Sequence, residues 1–166
     1  MSKNIFDISL EKLNSIFEQN NVILAYVFGS FVYGTITPLS DLDIAVVFDE
    51  KVPNKERFDR RLRLSYEIEK LTEMDRVDVV DLEAVRNPLL KHDAALEGKV
   101  IFSKNKEFQR EFELKILQEY EDTEFMRRIQ YYYLRKHIKE GTFGKPIISL
   151  NVVKTPTMVI KKPRHI

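Results

Sequence analysis

The chain has 166 residues, no cysteine and a net charge of +1, with 43% apolar and 32% charged residues. These values are typical of one globular domain, with or without an appendage, and they exclude disulfides, zinc–thiolate sites and thiol catalysis. Since no apolar run approaches the length of a membrane span and the start of the chain lacks a signal-peptide core, we expect a cytoplasmic protein without a membrane segment.

The periodicity of the apolar residues predicts helices that alternate with strands. A helix over about residues 8–17, capped by Ser9, precedes an apolar strand over 22–28. A second strand covers about 42–49, and a long helix capped by Asn54 follows it to residue 72. A third strand over 75–82 leads to a helix that begins at Pro88 and to a short strand over 99–102. Two helical pieces then span residues 106–140, with a break near 122–123.

This order of elements predicts an α/β (α+β) fold with a small mixed β-sheet and helices packed mainly on one face. The link between the first two strands is only about a dozen residues long, which suits antiparallel neighbours and is short for a parallel crossover. We expect a core over residues 1–103, a helical region over 104–141 packed on that core, and a basic tail over 142–166 of unassigned structure.

Charge is distributed unevenly along the chain. Residues 1–103 carry 13 basic and 18 acidic side chains, whereas residues 104–166 carry 14 basic and 8 acidic ones. A solvated surface could produce this difference, and so could a basic region that meets an acidic partner, a phosphate or nucleic acid.

The most informative pattern is Gly29-Ser30, followed after ten residues by Asp41-Leu42-Asp43. Side chains alternate along a strand, so Asp41 and Asp43 point to the same face. Two carboxylates on an otherwise apolar strand are costly unless a cation neutralises them, and oxygen ligands suit Mg²⁺. Gly29 lets a ligand approach the main chain, and Ser30 at the start of a helix predicts an anion site. Either half alone is also typical of a simple turn, but together they indicate a nucleoside triphosphate site.

The pattern Gly29-Ser30-x10-Asp41-x-Asp43 resembles the signature of the DNA polymerase β-like nucleotidyltransferase superfamily. The short length and the later segments look most like the minimal nucleotidyltransferases (MNT), which are partners of HEPN-domain proteins. The resemblance covers about residues 8–103 well and the helical stretch to about residue 140 loosely. The resemblance implies a third carboxylate on the third strand, where a V-D-x-V-D-L pattern places it at Asp78. On the same segment, we expect Asp75 to be solvated and Asp81 to cap the next helix.

The resemblance also implies a function. Asp41, Asp43 and Asp78 would bind two Mg²⁺ ions and form the catalytic triad, while Gly29 and Ser30 would bind ATP. The reaction would move AMP from ATP to a tyrosine hydroxyl of a HEPN-family toxin. The chain would therefore be an antitoxin. The alternatives are a nucleotidyltransferase for a small molecule such as an aminoglycoside, and an antitoxin that acts by binding alone. Direct binding of nucleic acid is not expected, and a homo-oligomer is left open.

Two further groups of residues have open interpretations. The long helix carries a cluster of arginines that is either a solvated face or a contact for triphosphate or a partner, namely Arg57, Arg60, Arg61 and Arg63. The tyrosines at 131–133 either bury one side of the last helix or form a partner surface.

Overall fold

A computed structural model of the protein describes residues 10–34 and 40–144. The expected helix cap Ser9 and nearly all of the basic tail lie outside the described residues. The chain forms two compact units, Met1–Met126 and Arg127–Ile166. The candidate site and the sheet belong to the first unit.

The described residues form alternating strands and helices close to the predicted bounds. The strands are β1 (Val22–Phe28), β2 (Leu42–Phe48), β3 (Val77–Asp81) and β4 (Lys99–Ser103). The helices are α1 (Leu10–Gln19), α2 (Ser30–Tyr33), α3 (Asn54–Thr72), α4 (Pro88–Ala95), α5 (Lys106–Asp122) and α6 (Glu124–Lys139).

The four strands form one mixed sheet in the order β3-β2-β1-β4. Strand β1 is antiparallel to both β2 and β4, whereas β2 and β3 are parallel. The short link between β1 and β2 gives the predicted antiparallel pair, and the long helix α3 supplies the crossover that a parallel pair needs. The α/β class with a mixed sheet is confirmed.

Helices cover both faces of the sheet rather than mainly one. Helices α1 and α3 contribute side chains to one apolar cluster, and α4 and α5 contribute to the cluster on the opposite face. The sequence of the central strands explains this arrangement, because β1 and β2 are nearly continuous apolar runs in which almost every residue is buried. A strand that is apolar on both faces requires packing on both faces.

The helix starts follow the predicted positions with one exception. Asn54 is the first residue of α3 rather than its cap, and the cap position is Pro53 in an extended conformation. The fixed φ of proline defines this helix start without a side-chain hydrogen bond. By contrast, Asn87 and Asn105 accept hydrogen bonds from the free N–H groups at the starts of α4 and α5.

The C-terminal helices separate where predicted, at Thr123. Helix α5 buries Ile116 in the sheet cluster that it shares with α4. Helix α6 has no buried side chain, so the tyrosines at 131–133 are exposed. The two interpretations of this helix, a side buried against the domain and a partner surface, remain predictions. The limits of the three expected regions remain predictions.

Helix α3 is fixed to the edge strand β3 at both ends of that strand. The Ser65 hydroxyl donates a hydrogen bond to the carbonyl of Val77, and the Glu69 carboxylate accepts one from the Val77 N–H at 3.3 Å. At the other end, Arg57 Nη1 lies 3.4 Å from Asp81 Oδ2 and also bonds Glu83. Burial acts to lower the pKa of Arg57, but the hydrogen bond to Glu83 and the charges of Asp81 and Glu83 raise it overall. Arg57 therefore has a structural role.

The Arg57–Asp81 pair leads to a prediction about stability. Arg57→Met would leave Asp81, which is 1% exposed, as an unpaired buried charge. We expect the free energy of unfolding to fall by about 2–4 kcal/mol, because removing one partner of a buried pair leaves the other charge uncompensated. The control Glu83→Gln should cost less than about 1 kcal/mol, since the Glu83 side chain is 39% exposed. Urea unfolding of both variants tests this, and equal losses would contradict the structural role.

Candidate active site

The predicted site residues meet at one corner of the sheet. The parallel register of β2 and β3 places Asp43 directly beside Asp78. The antiparallel register of β1 and β2 places Phe28 beside Asp43, so Gly29 follows at the same corner. Asp41 precedes β2 and shares the face of Asp43 because side chains alternate. The candidate catalytic and nucleotide-binding residues are thus brought together by strand register.

The three aspartates differ in their exposure. Asp43 is half-buried in β2, between Leu42 and Ile44, which point to the opposite face and are buried. Asp78 is exposed even though valines flank it in sequence. Val77 and Val79 point into the core beneath the sheet, and β3 is an edge strand, so the Asp78 carboxylate faces solvent. The edge position thus removes the cost that an unpaired charge would have inside a buried apolar strand.

Gly29 occupies a position that disfavours every other residue type. Its φ is +70°, in the region that favours glycine, and a Cβ added there would overlap the Asp43 carboxylate oxygen Oδ2. The carbonyl of Gly29 accepts hydrogen bonds from the N–H groups of Val32 and Tyr33, at 3.1 and 3.3 Å. These bonds form the short helix α2 (Ser30–Tyr33), which is followed by Gly34 in the left-handed conformation. The main chain therefore passes directly against a candidate metal ligand.

Negative charge accumulates at this corner. Burial raises the pKa of Asp43, and the charges of Asp78 and then Asp41 raise it further. The folded protein thus disfavours the ionised form of this carboxylate. A bound cation would reverse that preference, because it would favour all three ionised carboxylates.

Arg76 is a neighbour that the sequence analysis did not single out. Its Nη1 lies 3.6 Å from Asp41 Oδ2, and its carbonyl accepts the N–H of Leu42 at 3.1 Å. Because Leu42 pairs with Val77, the residues just before the two strands also become neighbours. Both side chains are well exposed, at 76% and 42%, so the ion pair is weak. Only the strand register could have identified this contact.

A divalent metal ion such as Mg²⁺ requires several oxygen ligands that converge on it. In residues 10–34 and 40–144, no three acidic or histidine side chains converge on one point. Asp41 is paired with Arg76 instead, although its exposure leaves it free to rotate. The carboxylate oxygens are of the type that Mg²⁺ prefers, and a cation would offset the burial and the charges of Asp78 and Asp41 that raise the pKa of Asp43. The residues present fit such an ion.

A protein-family model described as polymerase beta, nucleotidyltransferase, matches residues 11–107. This segment is more than half of the chain and contains all the candidate site residues. The chain belongs to the polymerase β nucleotidyltransferase family. It is therefore a nucleotidyltransferase, and enzymes of this kind generally use a divalent metal ion.

Solved structures support the same fold. A chain from a toxin–antitoxin complex with AMP-PNP is 24% identical, with a TM-score of 0.63, over 77% of this chain and 99% of that chain. A chain from the complex of a tri-AMPylated Shewanella oneidensis HEPN toxin with an MNT antitoxin is 22% identical. Its TM-score is 0.58, over 76% of this chain and 95% of that chain. The predicted resemblance to MNT antitoxins of HEPN toxins is confirmed.

A search of curated proteins and an inspection of the helices for membrane spans both gave negative results. No curated protein sequence matches the chain significantly. Among the described residues, no helix has the length and apolar character needed to cross a membrane.

Gly29 and Gly34 provide a matched pair for testing the contact with Asp43. Their φ values are +70° and +71°, but an added Cβ meets Asp43 only at Gly29 and nothing within 4 Å at Gly34. Both alanine variants should lose about 1–2 kcal/mol of stability from backbone strain. Only Gly29→Ala should also weaken ATP binding, by a factor of about 10 or more, because it displaces the Asp43 carboxylate. Titration calorimetry with ATP and Mg²⁺ tests this, and equal affinities for the two variants would show that the approach of Gly29 to Asp43 is unimportant.

The raised pKa of Asp43 leads to a prediction about pH. Its folded-state pKa lies above the ordinary value of 3.8, so the free energy of unfolding falls as pH rises through the folded pKa. In chelator at pH 7, Asp43→Asn should therefore be more stable than wild type, by up to about 1 kcal/mol. The difference should vanish below the ordinary pKa, where the carboxyl is protonated in both the folded and the unfolded chain. Urea unfolding across pH tests this. The exposed helix residue Glu111 provides the control Glu111→Gln, which should show no such trend.

Proposed function

We propose that the protein is a metal-dependent adenylyltransferase that moves AMP from ATP to a tyrosine hydroxyl of a HEPN-family toxin, and so acts as its antitoxin. The observation that carries the proposal is the juxtaposition of Asp43 and Asp78 on parallel strands, with the backbone of Gly29 against Asp43. In this family such a corner is expected to bind a metal–nucleotide complex.

The roles of the residues follow from their positions. Asp41 and Asp43 would hold two Mg²⁺ ions with Asp78, and these ions supply activation of the hydroxyl and stabilisation of the leaving pyrophosphate. Asp78 is the most exposed of the strand acids, so it can reach an acceptor and take the proton of its hydroxyl. The acceptor oxygen then bonds to the α-phosphorus of ATP, and the bond to the pyrophosphate oxygen breaks. No protein nucleophile is needed.

The nucleotide would bind over the turn between β1 and α2. Gly29 lets the main chain lie against the Asp43 carboxylate, and the Ser30 hydroxyl can donate a hydrogen bond to phosphate oxygens. Arg57 lies at the opposite end of β3, paired with Asp81, so it is not proposed as a triphosphate ligand.

The identity of the acceptor rests on similarity. Of the solved complexes named above, one is a toxin–antitoxin complex with AMP-PNP, and the other pairs a tri-AMPylated HEPN toxin with an MNT antitoxin. A protein acceptor also agrees with the open corner of the sheet, because Asp78 on the edge strand is accessible to a large molecule.

A transfer assay with matched variants tests the proposal. The chain is incubated with its cognate HEPN toxin, ATP and Mg²⁺, and the toxin's mass is measured for added AMP. Asp43→Asn and Asp78→Asn should each reduce the rate by a factor of about 100 or more, because the charge stabilisation of the transition state is lost. Asp75→Asn, which removes an exposed acid next to the same strand, should retain the wild-type rate.

The same experiment separates the alternatives. If Asp43→Asn neutralises the toxin as well as wild type does, without adding AMP to it, the antitoxin acts by binding alone. If wild type transfers AMP to an aminoglycoside but not to the toxin, the small-molecule function is correct. A thermal shift gives an independent readout of the metal site: Mg²⁺ with ATP should stabilise wild type and not Asp43→Asn.

A further inference from the structure

Arg76 is a basic side chain at the edge of the acidic corner. It directly precedes β3, and its carbonyl accepts a hydrogen bond from the Leu42 N–H at 3.1 Å, so its main chain is fixed beside the start of β2. The side chain itself is 76% exposed and meets Asp41 in an ion pair of 3.6 Å. Arg76 therefore combines a fixed main chain with a charged end that can move.

A nucleoside triphosphate at this corner needs cationic partners that the turn between β1 and α2 does not supply. Residues 29–40, which include Gly29 and Ser30, contain no lysine, arginine or histidine. Enzymes that act on nucleoside triphosphates place arginine, lysine or metal ions on the phosphate oxygens where negative charge develops. The charge of the leaving pyrophosphate must therefore be met by metal ions and by side chains from other segments.

Two arginines of α3 are engaged at the opposite end of the sheet. Arg57 is paired with Asp81 at the far end of β3, and Arg60 Nη1 donates a hydrogen bond to Asn21 Oδ1 at 3.0 Å. Asn21 directly precedes β1, whereas the acidic corner lies at the other end of that strand. Arg76 differs from both because it already lies against a candidate metal ligand.

The Arg76 guanidinium and a metal ion would compete for Asp41. Because both are cations, Arg76 would be repelled from its present position by a Mg²⁺ ion bound to the same carboxylate. Both partners of the ion pair are well exposed, so breaking it costs little. The displaced guanidinium then requires another anion, and its planar fork suits phosphate because it can donate two parallel hydrogen bonds.

The position of Arg76 selects the part of the nucleotide that it can reach. Arg76 lies two residues before Asp78, which is about 7 Å along the chain. Since Asp78 is the proposed proton acceptor, Arg76 is offset from the α-phosphate at which the reaction takes place. The β- and γ-phosphates, which leave together as pyrophosphate, are the remaining anions of ATP.

We propose that Arg76 binds the β- and γ-phosphates of ATP and pairs with Asp41 only in the free enzyme. The inference rests on the proposed function for the binding of ATP at this corner, but it does not depend on the identity of the acceptor. When Arg76 leaves Asp41, that carboxylate becomes available to a metal ion. Nucleotide and metal binding are therefore positively coupled through Arg76.

Calorimetric titrations of the full chain with ATP and with AMP, both in saturating Mg²⁺, test the phosphate contact. Arg76→Met should weaken ATP binding at least about tenfold, as expected for a lost hydrogen bond to a charged group, and leave AMP binding within about twofold of wild type. Arg76→Lys should lie in between, because it keeps the charge but loses the fork. The control is Arg86→Met, since Arg86 is exposed and follows the far end of β3, and this variant should bind both nucleotides as wild type does.

Binding of Mn²⁺ without nucleotide, followed by electron paramagnetic resonance of the free ion, tests the exchange at Asp41. Arg76→Met should bind Mn²⁺ as well as wild type or up to about fivefold more tightly, because Asp41 loses a weakly held competitor. Asp41→Asn should bind Mn²⁺ more weakly than wild type, which would show that the ion occupies this corner.

The outcomes separate this inference from the proposed function. If Arg76→Met binds ATP as tightly as wild type, or loses ATP and AMP affinity equally, Arg76 does not bind the β- and γ-phosphates, although the corner can still be the nucleotide site. If wild type does not bind ATP, both proposals fail. Weaker Mn²⁺ binding by Arg76→Met, or a melting temperature well below that of Arg86→Met, would give Arg76 a structural role and overturn the exchange.

Discussion

The parallel pairing of β2 with β3 is the constraint on which the candidate site depends. This pairing sets Asp43 beside Asp78, while Asp41 lies two residues earlier on the same face. Like charges at neighbouring strand positions repel, and the raised pKa of Asp43 records that repulsion together with burial. The fold must therefore stabilise this register by contacts elsewhere, and the apolar residues beneath the same strands provide most of that stabilisation.

The parallel register in turn depends on α3. Its inner side packs under β3, and Ser65, Glu69 and Arg57 attach it to the two ends of that strand. A slip of one residue would move Asp78 to the face where Val77 and Val79 now pack, so the valines and the aspartate fix the same register. The residues that stabilise the core and those that assemble the site are interleaved along one short strand.

Local patterns in the amino-acid sequence correctly predicted part of this structure. The alternation in β2 placed Asp41 and Asp43 on one face, and the spacing of apolar residues predicted the strand bounds. The sequence could not reveal that β3 is an edge strand, which makes Asp78 exposed, or that Arg76 lies beside Asp41. The exposure of Asp78 and the contact of Arg76 with Asp41 both depend on which strands are neighbours in the sheet. The strand order is determined by residues that are distant in sequence. Asn54 was misassigned for a local reason, since Pro53 begins the helix through its fixed backbone angle.

The attachment of α3 to β3 has a consequence for how the protein behaves at high concentration. An open sheet exposes N–H and C=O groups on its outermost strands, and these can recruit strands of other molecules into aggregates. Here the main-chain N–H and C=O of Val77 already bond Glu69 and Ser65, and the same short strand carries the exposed acid Asp78. The other outermost strand, β4, has only five residues and begins with Lys99. Sheet growth from one molecule to the next is thus disfavoured on both sides, so the enzyme can keep an accessible catalytic corner without becoming prone to fibrillar association.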